Sequence, residues 1–326
     1  MKLRPDLRTL LDVPIMQAPT GSIAGPELCA AVSEAGGIGG MGLTWTPPEL
    51  AVAAVKQVLT KTDRPFLVNF ALAFPPASLP AVLQAGAPII SFSWGDAGPY
   101  IQQVHTAGAL CGIQVTSAEG ARYAASIKAD FIICQGIEAG GHVQSSTPLA
   151  YLLPQVLAAA SGMPVVASGG IGNAQQARQF LGAGAAAVMM GTRFVATQES
   201  RAHPLYRELL VQSRASDTAL TVCFDGGWQG AIHRVLRNNT LSAWEAVGSP
   251  PAGLRPGEGE ILGFNAAGEE IERYSDAAPR SGFRGDVAAM CLYAGCSVEH
   301  INTIPTVAEL MAQLRCELIR NEEHQA

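Results

Sequence analysis

Residues 134–143 read CQGIEAGGHV: an apolar run, an acid, two glycines and a histidine. A histidine with its ordinary pKa titrates near neutrality, so His142 could accept a proton from a carbon acid or hold an anion. Gly140 and Gly141 would let the backbone approach a flat ligand closely and leave His142 at the rim of the space they open. Two further stretches point to phosphate. Val165–Gly172 (VVASGGIG) and Ala186–Arg193 (AAVMMGTR) each run from an apolar strand through a glycine turn into a helix. Backbone N–H groups at such turns, with a helix N-terminus behind them, favour an anion. The plainer readings are a loop histidine satisfied by its neighbours and glycines that only make tight turns. Two such turns in succession favour the phosphate.

These residues need a frame. Short apolar runs recur at Val13–Met16, Gly37–Met41, Phe66–Phe70, Ile89–Trp94, Gly112–Val115, Phe131–Gln135, Val165–Ser168 and Ala186–Met189. Helix-length segments lie between them at Pro26–Glu34, Pro47–Leu59, Leu79–Gln84, Pro99–Thr106, Ala118–Ile127, Leu149–Ala160 and Ala174–Leu181. Continuous apolar strands alternating with helices imply a parallel sheet covered on its outer face, and eight such units imply a closed (β/α)8 TIM barrel. An open doubly wound sheet is the alternative. It would place a G-x-G-x-x-G turn after the first strand, and none stands there. In the barrel, Glu138–His142 lies at the C-terminal end of strand six, on the active face. The two glycine turns follow strands seven and eight, where barrels of this kind bind phosphate.

From about Ser213 the rhythm breaks. Residues 249–259 (SPPAGLRPGEG) have loop composition, and Glu260–Phe264 with Glu270–Tyr274 suggest a hairpin around Asn265–Gly268. The expected division is a barrel over 1–212, an inserted cap over 213–285, and C-terminal helices over 286–326 near Gly285–Ala294 and Thr306–Asn321. In the cap, Trp228 and His233 could touch substrate or simply pack. Arg234, Arg237, Asn238 and Asn239 read as the solvated face of a helix-like segment. His203-Pro204 reads as a helix entry.

Composition narrows the function. With 326 residues, 48% of them hydrophobic and 15% charged, the chain can bury a large core. A net charge of −6 supplies no basic stripe for nucleic acid. Residues 139–177 lack Asp, Glu, Lys and Arg, yet Pro148, Pro154 and Pro164 cut them into pieces too short to span a bilayer. The start of the chain is a poor signal peptide, and the 7 cysteines form no C-x-x-C pair. A cytoplasmic protein with reduced thiols and no metal is expected.

The stretch Gln135–His142 (QGIEAGGH) resembles the signature of the nitronate monooxygenase (2-nitropropane dioxygenase) family of FMN-dependent TIM barrels. So do PIMQAP at 14–19, AGGIG at 35–39, Val68-Asn69, SGG at 168–170 and MGTRF at 190–194. The likeness runs in order from about residue 12 to residue 204. It implies that Ala18, Pro19 and Thr20 lie under the flavin ring and Asn69 on its edge, with Gln135, Gly140, Gly141 and Gln114 beside it. It also implies that Ser168, Gly169, Gly170 and Met189, Met190, Gly191 and Thr192 hold the phosphate, and that His142 is the catalytic histidine. Two positions depart from the family pattern: Val143-Gln144 replaces Arg-Gly or a glycine pair, and Thr20 replaces methionine. Both are expected on the substrate side.

The activity implied is oxidation of alkyl nitronates, with nitroalkanes as a further substrate class, by FMN and O2, giving a carbonyl compound and nitrite. Small molecules are the only implied partners. One rival is a flavin-dependent NAD(P)H reductase of the enoyl-acyl-carrier-protein or quinone type, since those relatives share the Ala-Gly-Gly-His or Ala-Gly-His stretch. Another is a flavin-free barrel that binds a phosphorylated metabolite.

Overall fold

The computed structural model describes residues 4–319. Eight parallel strands appear where the apolar runs stand: β1 Ile15–Gln17, β2 Gly39–Gly42, β3 Phe66–Ala71, β4 Ile89–Ser93, β5 Leu110–Val115, β6 Phe131–Gln135, β7 Val165–Ser168 and β8 Ala187–Met190. Each pairs with its neighbours in chain order, and β8 returns to β1. A parallel bridge between Met16 and Ile38 closes the ring. Outside lie α1 Pro26–Glu34, α2 Pro48–Leu59, α3 Leu79–Gln84, α4 Gly98–Thr106, α5 Ala118–Ser126, α6 Leu149–Ala159 and α7 Ala174–Gly182. Local chemistry starts several of them. Ser117 accepts a hydrogen bond from Gly120 N at the head of α5, and Asn173 does the same for Gln176 N at α7.

Alternation along each strand sorts side chains between two cores. Met16, Ile38, Leu67, Ile89, Leu110, Phe131, Ile133, Val166 and Met189 fill the barrel interior, with Leu7 below them. Ile15, Val68, Ile90, Ile132, Cys134, Val188 and Met190 face the helices. The interior is filled by matching large to small residues. A side chain at Gly112 would stand 2.2 Å from the Phe131 ring.

The eighth helix position is reached late. After β8 comes only the short α8, Thr192–Val195, and the position between α1 and α7 is taken by α11, Val307–Ile319. Val307, Leu310, Met311 and Leu314 of α11 join the helix-facing core. The expected terminal helix thus forms, although Arg320 and Asn321, its last two expected residues, lie outside the described ones.

Between α8 and α11, α9 Pro204–Gln212 opens at His203, whose Nδ1 accepts from Leu205 N as a helix entry should. Two antiparallel strands follow, β9 Thr218–Thr221 and β10 His233–Leu236, then α10 Asn239–Ala246 and the hairpin β11 Ile261–Phe264 with β12 Glu270–Glu272. Two expectations fail here. Residues 233–236 are strand rather than helix, because β10 pairs on one side with β9 and on the other with Gly141–His142. Arg234 accordingly is not solvated: it donates to Ile137 O at 2.9 Å and to Thr218 Oγ1. The expected helix near Gly285–Ala294 is only a 3-10 turn at Val287–Ala289, after which the chain runs extended past Tyr293. The backbone of this extended piece is needed for pairing: Leu236 N bonds Leu292 O, and Tyr293 bridges Val235.

The inserted region shares its core with the barrel. Leu236, Leu262, Phe283, Val287 and Leu292 pack with Tyr206, with Ile23 from the turn after β1 and with Val195 at the end of α8.

Candidate active site

Strand parity decides what faces the mouth of the barrel. Two or four residues beyond the inner apolar layer, and therefore on the same face, stand Asn69 on β3, Ser91 and Ser93 on β4, Gln114 on β5, Gln135 on β6 and Ser168 on β7. These polar groups floor a cavity of about 450 Å3 at the C-terminal ends of the strands. A larger, shallower cleft of about 530 Å3 lies wholly within the inserted region, and no strand end of the barrel reaches it. Chemistry belongs to the first.

The cavity gathers almost every residue singled out from the sequence. Ala18, Pro19, Thr20, Asn69, Gln114, Gln135, Gly140, Gly141, His142, Ser168, Gly169, Gly170, Met189, Gly191 and Thr192 all line it. Met190 does not. It lies one step from the inward Met189, so parity turns its side chain into the helix-facing core. The pair Val143-Gln144, expected on the substrate side, is also absent from the lining. Val143 is buried, and Gln144 Oε1 accepts from Gln114 Nε2 at 2.6 Å while its N–H donates to Gln135 Oε1. These bonds orient two polar groups of the floor. Asn69 is fixed likewise, donating to Ser91 Oγ at 3.0 Å.

The glycines divide by role. Gly141 has φ +75 with open space where a side chain would stand, and a side chain at Gly191 would meet only ordinary contacts. Neither is demanded by packing alone, so both leave room for a ligand. Gly140 differs: a Cβ there would lie 2.4 Å from Gly295 N. Its missing side chain is required by the close pass of the 294–295 backbone, in addition to any room it leaves at the cavity. Gly169 and Gly170 both take positive φ, and their N–H groups, with those of Gly191 and Thr192, make no hydrogen bond among the described residues.

His142 stands between rings. Its centroid lies 4.5 Å from Trp228, 5.5 Å from His233, 5.6 Å from Tyr293 and 6.2 Å from Trp94. Burial pushes its pKa down to about 4, with the neighbouring His233 adding to the effect. The shift runs away from the neutral-range titration expected of an ordinary histidine and favours the uncharged imidazole. Its Nε2 is buried and has no hydrogen-bond partner among the described residues, and neither has Thr20 Oγ1. His233 is the opposite case. It is fully buried, with Nδ1 against Ala231 O at 2.9 Å and Nε2 accepting from Phe224 N. Both of its nitrogens are satisfied, so it packs. Trp228, by contrast, does face the cavity.

Two further features escaped sequence reasoning. Among the described residues the lining holds one carboxylate, Asp276, whose pKa burial raises, and no lysine or arginine. Trp94, just after β4, adopts φ 61, a left-handed conformation that costs a bulky residue on the order of 1 kcal/mol or more. Ser91 and Ser93 could have been found from strand alternation alone. Asp276, Trp94 and Tyr293 carried no local signal.

The family model described as nitronate monooxygenase matches residues 5–78 and 76–317. A nitronate monooxygenase of Pseudomonas aeruginosa is 34% identical over 289 residues, covering 73% of this chain and 80% of that protein. A (3aS,4S,5R,7aS)-5-hydroxy-7a-methyl-1-oxo-octahydro-1H-indene-4-carboxyl-CoA dehydrogenase of Mycobacterium tuberculosis is also 34% identical, over 253 residues, 76% of this chain and 70% of its own. Among solved structures, FabK from Thermotoga maritima superposes with a TM-score of 0.82 at 29% identity, covering 99% of both chains. A nitroalkane oxidase from Streptomyces ansochromogenes gives 0.80 at 28% identity, over 99% of this chain and 100% of that one.

Proposed function

From the premise that the chain belongs to the nitronate monooxygenase family, we propose that it is an FMN-dependent oxidoreductase that uses O2 to oxidise nitronates to a carbonyl compound and nitrite. One observation carries the reading. Among the described residues, one histidine lines the cavity and presents a buried Nε2 without a partner, beside a floor of oriented amides and a row of backbone N–H groups not otherwise engaged. The cavity fits a flavin mononucleotide: the free N–H groups of Gly169, Gly170, Gly191 and Thr192, with Ser168, suit its phosphate. Thr20 Oγ1, Asn69, Gln114 and Gln135 supply polar contacts for the ring, and Ala18, Pro19, Gly140, Gly141 and Met189 supply apolar walls. When bound, the flavin supplies the electron-accepting chemistry that no side chain provides. No helix among the described residues is long and apolar enough to cross a membrane. The cysteines are all unpaired, which supports a reducing, cytoplasmic setting. We take residues 213–285 as the cap that roofs the site.

The protein's own part is to hold and discharge an anion. A neutral imidazole can donate one hydrogen bond to a nitro-group oxygen without first losing a proton. A base with a pKa near 4 is about 300-fold weaker than one at 6.5, so abstraction of a proton from a neutral nitroalkane is the harder task. Preformed nitronates are therefore the preferred substrates.

The test is anaerobic mixing of the yellow holoprotein with ethyl nitronate, then with NADH, following flavin absorbance. Bleaching by the nitronate and not by NADH is expected; bleaching by NADH alone would establish a reductase instead. His142→Asn should lower turnover of a neutral nitroalkane by about 10²–10⁴-fold, the usual loss for a general base, and of its nitronate by less. Equal losses on both substrates, with full flavin content, would leave His142 as an anion-positioning group only.

A further inference from the structure

Aromatic rings from four separate segments gather beyond His142: Trp45, Trp94 and Trp228 line the cavity, and Phe74 packs against two of them. Trp45 follows β2, Phe74 follows β3, Trp94 follows β4 and Trp228 comes from the cap. Trp228 is the hub, its ring centroid 4.7 Å from Trp94, 5.1 Å from Phe74 and 6.1 Å from Trp45. Three of the chain's 4 tryptophans thus meet at one mouth.

Core filling does not account for them. Trp45 is 58% exposed, none of the four rings belongs to a hydrophobic core of the fold, and Trp94 holds a left-handed backbone that strains it. Trp94 N is tied to Gln144 Oε1, the same oxygen that orients Gln114. The strained residue is therefore linked to the polar floor of the cavity. Among the described residues the lining also has no cation with which to pair a charged substrate tail, and Asp276 would repel a second anionic group.

We propose that this wall is a substrate subsite for a flat, uncharged ring, with Trp94 and Trp228 as specificity-determining residues. The inference rests on the nitronate reading and names the substrate class within it: nitronates whose carbon chain carries an aryl or cyclic group. Offset or edge-on packing of a substrate ring against tryptophan adds attraction beyond that of an alkyl chain, enough for about a tenfold preference.

The test compares the nitronates of 2-phenylnitroethane and nitroethane as substrates of the holoprotein, in wild type, Trp228→Ala and Trp228→Phe. In parallel, binding of the neutral nitro compounds is measured by calorimetry. The wild type should favour the phenyl compound about tenfold or more in kcat/KM and in affinity. The preference should fall to near unity in Trp228→Ala and persist in Trp228→Phe. No phenyl preference in the wild type, or a preference unchanged in Trp228→Ala with flavin retained, would overturn the proposal. If neither nitronate is turned over yet the phenyl compound still binds in a Trp228-dependent way, the nitronate reading falls and the ring subsite stands.

Discussion

Replacing His142 by glutamine should make the protein more resistant to acid. In the folded state burial holds the His142 pKa near 4, whereas in the unfolded chain it returns to about 6.5. Below pH 6.5 the unfolded state therefore binds a proton that the folded state refuses, and stability is lost as the pH falls towards 4, levelling off beneath it. Between about pH 7.5 and about pH 4.5 that linkage amounts to about 2.5 kcal/mol from this one residue. His233, depressed by its own burial, contributes with the same sign but is present in both proteins, so the difference isolates His142. The assay is urea denaturation of wild type and His142→Gln at the two pH values. Wild type should lose about 2.5 kcal/mol more than the variant across that interval. Parallel losses would mean that His142 is not held neutral in the fold, and the case for an uncharged imidazole opposite the substrate would go with it.

Two further outcomes test the glycines. Gly170→Leu should abolish retention of FMN through gel filtration, because a Cβ at φ +70 would stand 2.8 Å from Glu138 Cβ and displace the turn proposed to hold the phosphate. Full occupancy in that variant would refute the placement. Gly140→Ala, whose methyl meets Gly295 N at 2.4 Å, should lower thermal stability more than Gly141→Ala, which adds only backbone strain in open space; overpacking of this kind costs about 1–3 kcal/mol. The reverse order would show that Gly140 is kept for the ligand after all.

The barrel was legible because its signals are local. Parallel strands buried on both faces read as apolar runs, caps such as Ser117 and Asn173 sit at the heads of their helices, and alternation puts Asn69, Gln114, Gln135 and Ser168 on one face whatever surrounds them. The same parity, applied one residue further, already excludes Met190 from the cavity. What stayed hidden was whatever depends on chain closure. Residues 233–236 carry a helix-compatible pattern, and only pairing with Gly141–His142 and with β9 makes them a strand. Gly140 is constrained by Gly295, far along the chain, which no local signal shows. The pKa of His142 is lowered by burial among Trp228, Tyr293 and His233, which reach it from residues 228–233 and from the extended piece at 293. A residue's type fixes which chemistry it is able to perform, but its pKa is a property of the dielectric and charges that the tertiary fold places around it.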